Sequence, residues 1–480
     1  MSQLFSFSLS LPTGIEHAIL LLFILLGLVN LLNIAANRMF RLLPIALLHI
    51  SGGLFGVLAR DLVTLLISWE ILTISGFFLI RFAGGNRSRQ AALRYLAVQM
   101  VSAALFFIAA VIHYRAAGSL SVVPLTASAQ PFMFAAILIK TAAVPLHCWL
   151  VESYPAAHPG ITPLLSAYTT KIGVLSAARL LIFAPWGVPV LAYAGGLTAV
   201  IAVVFALKQQ NARKLLSYHI VSQVGYMTAA IGLVGTVGNA AAVAGLFHLI
   251  THTMYKSLLF MTAAEARKSF GHDNLLAMGG LWRRRPGLFC CALVGAAAIS
   301  GVPATSGYAS KALLKTVTGS GFIQYLLLAA SAGTALSFIK FIYLIFLAPE
   351  RRTELQQTHP LSMAAPVLLT LATLYTGFRP NQVHGIAEGE FFSFTTVVNA
   401  LPPLAIGGVL WILLKKRLTR YSQPLPLPDR LATPVSNWFV QRSWPIRHTA
   451  RVLHAQGPQM QIAIALFTLV LTVWAVHQYV

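Results

Sequence analysis

The sequence predicts an all-α polytopic membrane protein with about 14 transmembrane helices, two of them interrupted. Three observations support this fold class. The 480-residue chain is 57% hydrophobic and only 9% charged, a composition typical of membrane proteins. Apolar runs of about 20 residues, each long enough for one helix to cross a bilayer, recur along the chain. The basic residues are concentrated in alternate connections between these runs.

Fourteen runs are long enough to span a membrane, near residues 17–36, 42–59, 62–82, 92–114, 131–151, 161–184, 187–207, 215–235, 240–264, 286–318, 321–347, 361–378, 393–414 and 459–478. The tenth is too long for one straight helix and contains Pro303, so we expect one pass interrupted halfway. The fifth contains Pro145 close to Lys140. Because paired interrupted helices frame the midplane site of many transporters, this pattern also predicts inverted repeats.

The basic residues predict the orientation of the chain. Loops after odd-numbered passes contain 24 of the 34 Lys and Arg residues, whereas loops after even-numbered passes contain only Arg60, Arg115 and Arg379. Cytoplasmic loops are enriched in Lys and Arg, so the odd loops are predicted to be cytoplasmic and both termini to lie outside. The formal net charge of +23 therefore reflects topology, and we do not expect nucleic-acid binding.

The passes divide the chain into five parts: N-terminal helices (1–60), a central core (61–350), C-terminal helices (351–415), a basic segment (416–458) and a last anchor (459–480). The basic segment permits two interpretations. It is either a tethered cytoplasmic loop or an amphipathic segment lying laterally on the membrane face before the last helix. Pro434 and Pro445 would break such a helix.

Five ionisable side chains interrupt the apolar runs: Glu70, Lys140, Lys171, Lys256 and Lys311. A charge near the bilayer centre costs at least about 2.5–3.5 kcal/mol, and such residues usually face a bundle interior or a wet cavity. A series spread over separate helices predicts a path for a charged species, most simply a proton. For single members the alternatives are structural hydrogen bonding or, for Lys311, extension toward the outer surface.

Glu70 and Lys140 both lie near the middle of their passes, so we expect them to interact. Burial lowers the proton affinity of a lysine, whereas a nearby carboxylate raises it. Movement of the carboxylate could therefore switch the lysine between protonation states, which an arginine would not permit. Lys340, by contrast, lies near the cytoplasmic end of its pass and is expected to snorkel there.

The ninth pass places His248, His252 and Lys256 on one helical face, since they are spaced i, i+4, i+8. A zinc site would need a further ligand, and the glutamate of zinc peptidases is absent. Histidine exchanges protons near neutral pH, so a proton relay is the better interpretation. His147 and His219 are secondary candidates, and a core or interface histidine is the more ordinary interpretation of each alone. We expect neither a bound metal nor a cofactor.

Several strings in a fixed order carry a family resemblance: residues 68–70, 139–150, 170–173, 214–227, 247–256 and 301–311. Together they resemble the antiporter-like subunits of respiratory complex I, group 4 membrane hydrogenases and Mrp-type Na⁺/H⁺ antiporters over about residues 42–350. The His-rich ninth pass and the tail resemble the longest subunit type, which ends in a lateral helix and a last anchor. Two departures stand out. The glutamate lies on the third helix and not the fifth, as if two N-terminal helices were absent, and Ala312 replaces an acidic residue often found there.

The resemblance implies that residues 61–350 form an antiporter-like proton-channel core. It implies a Glu70–Lys140 pair, a bridging Lys171, a central relay through His248, His252 and Lys256, and an exit lysine on a broken helix. Lys311 would be that exit lysine. The expected setting is the bacterial cytoplasmic membrane, with partners among the membrane subunits of a respiratory, hydrogenase, Mrp-type or carbon-uptake complex.

The sequence leaves four candidate functions open. The first is a proton-translocating, or Na⁺/H⁺-exchanging, subunit of a multisubunit complex. The second is a channel that energises an inorganic-carbon uptake complex, the third a membrane metalloenzyme and the fourth a non-conducting scaffold. The sequence has no quinone, flavin, iron–sulfur or nucleotide motif. We therefore expect no redox chemistry by this chain alone, although it could be a subunit of a proton-pumping oxidoreductase.

Overall fold

Helices make up the secondary structure of the described residues, apart from three isolated β-bridges. The computed structural model describes residues 9–122, 124–181, 187–350, 360–383, 385–386 and 391–420. The last anchor and all but the first five residues of the basic segment lie outside these ranges. The helices are α1 (Gly14–Ala36), α2 (Leu43–Leu58), α3 (Leu62–Arg81), α4 (Gly85–Ala117), α5 (Gln130–Lys140), α6 (Cys148–Ser153), α7 (Thr162–Leu180), α8 (Gly187–Lys208), α9 (Ala212–Ile231), α10 (Val234–Val237), α11 (Asn239–Phe270), α12 (Leu281–Arg284), α13 (Pro286–Ser300), α14 (Ser306–Thr318), α15 (Phe322–Ile342), α16 (Ala364–Phe378) and α17 (Phe394–Arg420).

Nine helical stretches among the described residues are long and apolar enough to cross a membrane. They are Gly14–Ala36, Phe40–Leu58, Leu62–Arg81, Gly85–Ala117, Val188–Lys208, Ala212–Val237, Phe322–Leu347, Leu361–Phe378 and Phe394–Thr419. This confirms an all-helical polytopic membrane protein, while the count of 14 stays a prediction. Two further predicted passes, α7 and α11, are helices of sufficient length. They carry the buried lysines and histidines of the central core, which make them more polar.

The two interrupted passes are present as broken helices. α5 ends at Lys140 and α6 begins at Cys148, with turns in between. α13 ends at Ser300 and α14 begins at Ser306. Gly301 closes α13 in a left-handed conformation with φ of +87°, which glycine adopts without strain. Each break follows from a proline that cannot donate a backbone hydrogen bond.

The core of the bundle is formed by α7, α9 and α11. Every residue of α7 is buried, and in α9 only Lys214 is not. Small residues allow this close packing, as at Gly225 of α9, where an added Cβ would lie 2.6 Å from the carbonyl oxygen of Gly195 on α8. The polar side chains in the middle of α7, α9 and α11 therefore face other helices and not lipid.

Ion pairs fix the two ends of the bundle. On the predicted outer side, Arg179 of α7 binds both carboxylate oxygens of Glu16 on α1 at 2.7 Å. On the predicted cytoplasmic side, Arg213 of α9 binds Asp273, and Arg285 binds Glu265 of α11. These contacts hold the helices that position the buried groups.

Candidate functional site

The first pair of buried charges lies on α3 and α5. The Glu70 side chain is buried with 4% exposure, and Lys140 is fully buried. Their charged groups interact electrostatically but are farther apart than the 4.0 Å of a direct ion pair. The Lys140 amine instead lies 3.4 Å from the Trp69 carbonyl and the Thr73 hydroxyl, and 4.8 Å from the centre of the Trp69 ring. The pair is therefore close without being locked together.

The broken helix positions Lys140. It is the last residue of α5, so its side chain leaves the helix where the chain turns. On the opposite side α7 packs tightly against it, because a Cβ added at Gly173 would lie 3.1 Å from the Lys140 Cγ. Glycine at this position gives the lysine room between α3 and α7.

Lys171 lies on α7, two residues before that glycine, and is fully buried. Its amine donates to the Ser166 carbonyl at 2.7 Å and to the Thr170 hydroxyl at 3.2 Å. Both partners lie on α7 itself. The amine is also within electrostatic range of Lys256 and His252 of α11, and positive charges on these groups repel one another.

The central part of the series is the face of α11 that carries His248, His252 and Lys256, all fully buried. Neither ring nitrogen of His252 has a hydrogen-bond partner among the described residues, and neither does the Lys256 amine. The amine lies 5.6 and 5.8 Å from the ring centres of Phe260 and Phe338. Polar atoms buried without protein partners mark places where ordered water is expected.

His252 is the point at which the groups converge. It interacts electrostatically with Lys171, Lys256, His248 and His219, and its ring centre lies 6.3 Å from that of His248. The structure thus brings together the groups that the sequence places on α7, α9 and α11.

The two secondary histidines differ. His219 of α9 shares a hydrogen bond of 2.8 Å with Ser337 and interacts electrostatically with Lys256 and Lys311, which places it within the series. His147 lies just before α6, where its ring contacts those of Phe205 and Tyr218. This position is next to the first helix break, not beside the central histidines.

Lys311 closes the series at the second helix break. Its amine donates to the Ile299 carbonyl at 2.7 Å, in the last turn of α13, and to the Ser331 hydroxyl at 3.1 Å. A cation is stabilised at a helix C-terminus by the helix dipole. Lys311 also borders a cavity of about 320 Å³ between α14, α15 and α17. Unlike the other lysines of the series, it is only partly buried.

Lys340 is separate from the series. Its amine reaches the end of α8 and donates to the carbonyls of Leu207 and Gln209 at 2.8 and 2.7 Å. The side chain is buried at 2% exposure and its amine ends on protein carbonyls, so it is not extended into solvent as snorkelling would require.

Several residues of the site did not emerge from the sequence. Gln223 of α9 and Ser310 of α14 each share a hydrogen bond with one ring nitrogen of His248, at 3.1 and 2.9 Å. His49 of α2 is fully buried and interacts electrostatically with Lys140. Gln223 follows His219 by one helical turn, and His49 is the only ionisable residue of the apolar α2. These two sequence features could have identified Gln223 and His49 as candidate site residues.

The arrangement provides proton donors and acceptors but no evident metal cage. Within the described part of the chain, no three His, Cys, Asp or Glu side chains lie together as metal ligands would. Lysine, histidine and glutamate can each bind and release a proton, and hydroxyl groups such as Ser310 can pass one on.

Comparisons with known proteins find similar sequences and folds. The family described as NADH:quinone oxidoreductase/Mrp antiporter, TM, matches residues 59–337. NADH-quinone oxidoreductase subunit L of Pseudomonas aeruginosa is 31% identical over 396 residues, which are 76% of this chain and 63% of that protein. The chain therefore matches less than two thirds of that relative's length. A Na⁺/H⁺ antiporter subunit of Alkalihalophilus pseudofirmus is 26% identical over 70% of this chain and 72% of its own length. A chain in the structure of the Mrp complex from Dietzia sp. DQ12-45-1b has the same fold, with a TM-score of 0.70 at 21% identity over 82% of this chain and 85% of that chain.

Proposed function

The chain belongs to the NADH:quinone oxidoreductase/Mrp antiporter transmembrane family, and on that premise we propose that it is a proton-translocating membrane subunit of a multisubunit complex. The observation that carries the proposal is the convergence of buried proton-binding groups on His252. Maintaining several buried amines without a direct carboxylate partner is unfavourable for stability. A transport role explains why they are nevertheless present.

The proposed path runs through the bundle from one helix break to the other. A proton reaches the Glu70–Lys140 pair, passes to Lys171 and then to the α11 groups His252 and Lys256. It leaves through Lys311, which borders the cavity between α14, α15 and α17. Water molecules complete the relay between groups that are too far apart for direct transfer.

The finer expectations belong to the same proposal. They are the 14 passes with both termini outside the bacterial cytoplasmic membrane, the inverted repeats and membership of a respiratory, hydrogenase or Mrp-type complex. Similarity to a protein named as a Na⁺/H⁺ antiporter subunit supports cation exchange as a form of the function. No observation favours inorganic-carbon uptake, which stays a prediction.

The test is proton uptake by inside-out membrane vesicles that contain the chain in its assembled complex. We expect Glu70→Gln and Lys140→Met each to reduce the initial rate per assembled subunit by about 100-fold, the lower end of what a positioned proton-transfer group contributes. The matched control is Lys340→Met, which removes an equally buried lysine outside the path and should leave the rate per assembled subunit unchanged. Near-normal uptake by both path variants would refute the proposal.

A further inference from the structure

His49 presents an unused proton acceptor inside the bundle. Its ring is fully buried in α2, six residues after the helix begins. Its Nδ1 lies 2.7 Å from the Ser75 hydroxyl of α3. Its Nε2 has no hydrogen-bond partner among the described residues. A buried polar atom without a partner destabilises the fold by about 1–3 kcal/mol, so its retention calls for a reason.

The hydrogen bond to Ser75 determines which nitrogen carries the ring proton. The Ser75 oxygen lies only 2.6 Å from the Ile71 carbonyl oxygen, and the serine proton must lie between these two oxygens. A hydroxyl has a single proton to donate. Ser75 therefore accepts from His49, Nδ1 carries the proton, and Nε2 has a free lone pair.

The ring and the first lysine of the series both contact α3: Ser75 binds the ring, and Thr73, two residues earlier, lies 3.4 Å from the Lys140 amine. His49 interacts electrostatically with Lys140 of α5. Tyr168 of α7 packs edge-on against the ring at 5.8 Å, but its hydroxyl already donates to the Phe23 carbonyl at 2.9 Å. Tyr168 therefore has no proton available for Nε2. Lys140 is the neighbouring group that can exchange one.

We propose that His49 is a further proton-binding site, located on the cytoplasmic side of Lys140 in the predicted orientation. This inference rests on the proposed function. Nε2 takes up one proton and the ring becomes an imidazolium, with Nδ1–H still bonded to Ser75. Nε2 then releases the proton to the neutral amine of Lys140, directly or through water, and the ring returns to its starting tautomer. No other bond is formed or broken.

A matched control exists within the chain. His113 of α4 is also buried and also has a partnerless Nε2 among the described residues. Its Nδ1, however, accepts from the backbone N–H of Thr126 at 3.2 Å, so its Nε2 carries the proton. Both histidines are thus buried and have an unpaired ring nitrogen. Of the two, His49 alone has an accepting lone pair at that nitrogen and a neighbouring lysine.

The experiment compares His49→Asn with His113→Asn in vesicles that contain the assembled complex. Asparagine retains a donor near the position of Nδ1 but removes the base at Nε2. We expect proton uptake to fall by about 100-fold in His49→Asn and to change by less than about twofold in His113→Asn. Near-normal uptake by His49→Asn, while Lys140→Met is inactive, would overturn the inference and leave the proposed function intact. Normal uptake by Lys140→Met as well would instead refute the proposed function.

A second measurement covers the case in which His49→Asn does not assemble. Nitrogen NMR of histidine-labelled complex distinguishes protonated from unprotonated ring nitrogens, and Ser75→Ala identifies the His49 signals because it removes their hydrogen-bond acceptor. We expect an unprotonated Nε2 in the wild type and slower uptake in Ser75→Ala. A protonated Nε2, or ring signals and uptake that Ser75→Ala leaves unchanged, would overturn the inference.

Discussion

Replacing Lys256 by methionine should stabilise the protein and stop transport. The Lys256 amine is buried without a hydrogen-bond partner among the described residues, so only water can solvate it, and this incomplete solvation costs about 1–3 kcal/mol. Its contacts with the rings of Phe260 and Phe338, at 5.6 and 5.8 Å, return about 0.5 kcal/mol or more each while the amine is charged. Methionine keeps most of the apolar stem, so we expect a net gain of about 1 kcal/mol.

The matched comparison is Lys340→Met, for which the opposite sign is expected. The Lys340 amine makes two short hydrogen bonds to the carbonyls of Leu207 and Gln209. Hydrogen bonds to charged groups contribute about 1.5–3 kcal/mol each, so the variant should lose about 3 kcal/mol or more. The two lysines are equally buried, and only their partners differ.

Both variants are measured by thermal unfolding in lipid nanodiscs and by proton uptake in vesicles. Lys256→Met should unfold at a higher temperature than wild type and be inactive. Lys340→Met should unfold at a lower temperature and transport normally per assembled subunit. Destabilisation of Lys256→Met to the same degree as Lys340→Met would show that a protein group satisfies the Lys256 amine and would refute this reasoning.

Two further predictions concern the ends of the bundle. Arg179→Met removes two hydrogen bonds to Glu16 and those to the carbonyls that end α2. Glu16 is partly exposed and keeps its ion pair with Arg60, so the loss comes from the hydrogen bonds of the buried guanidinium. The free energy of unfolding should fall by about 1.5–3 kcal/mol, the contribution of hydrogen bonds to a charged group; a change below about 1 kcal/mol would match an exposed pair and contradict this. His158, in the loop before α7, has its pKa lowered from 6.5 to about 4 by burial and by the nearby cations Arg213, Lys268 and Arg267. The unfolded chain therefore binds more protons between about pH 6.5 and 4, and stability should fall as the pH falls through this window. Unfolding temperatures measured from pH 8 to 4.5 should fall less steeply in His158→Gln than in wild type, and equal slopes would contradict the assignment.

The sequence predicts much of this fold because its strongest signals are one-dimensional. A lysine in an apolar run, as at Lys171, is visible without knowing any neighbour. Proline fixes where a pass breaks, as Pro145 and Pro303 do, whatever packs around it. The i, i+4, i+8 spacing from His248 to Lys256 survives in the structure because a regular helix dictates it.

What the sequence does not predict depends on how helices rotate and pack against one another. The contact between His49 and Ser75 joins α2 and α3, and no local pattern encodes it. Gln223 and His248 meet because α9 and α11 pack closely through small residues. The separation of Glu70 from Lys140 beyond direct contact likewise depends on the rotation of α3, which periodicity alone does not fix.

The most direct measurement of the central claim is a density map of the assembled complex at a resolution that shows ordered water. We expect water within hydrogen-bonding distance of the Lys256 amine, of both ring nitrogens of His252 and of Nε2 of His49, linked onward to Lys311. A map in which these atoms are surrounded only by apolar side chains, with no solvent between one group and the next, would contradict the account.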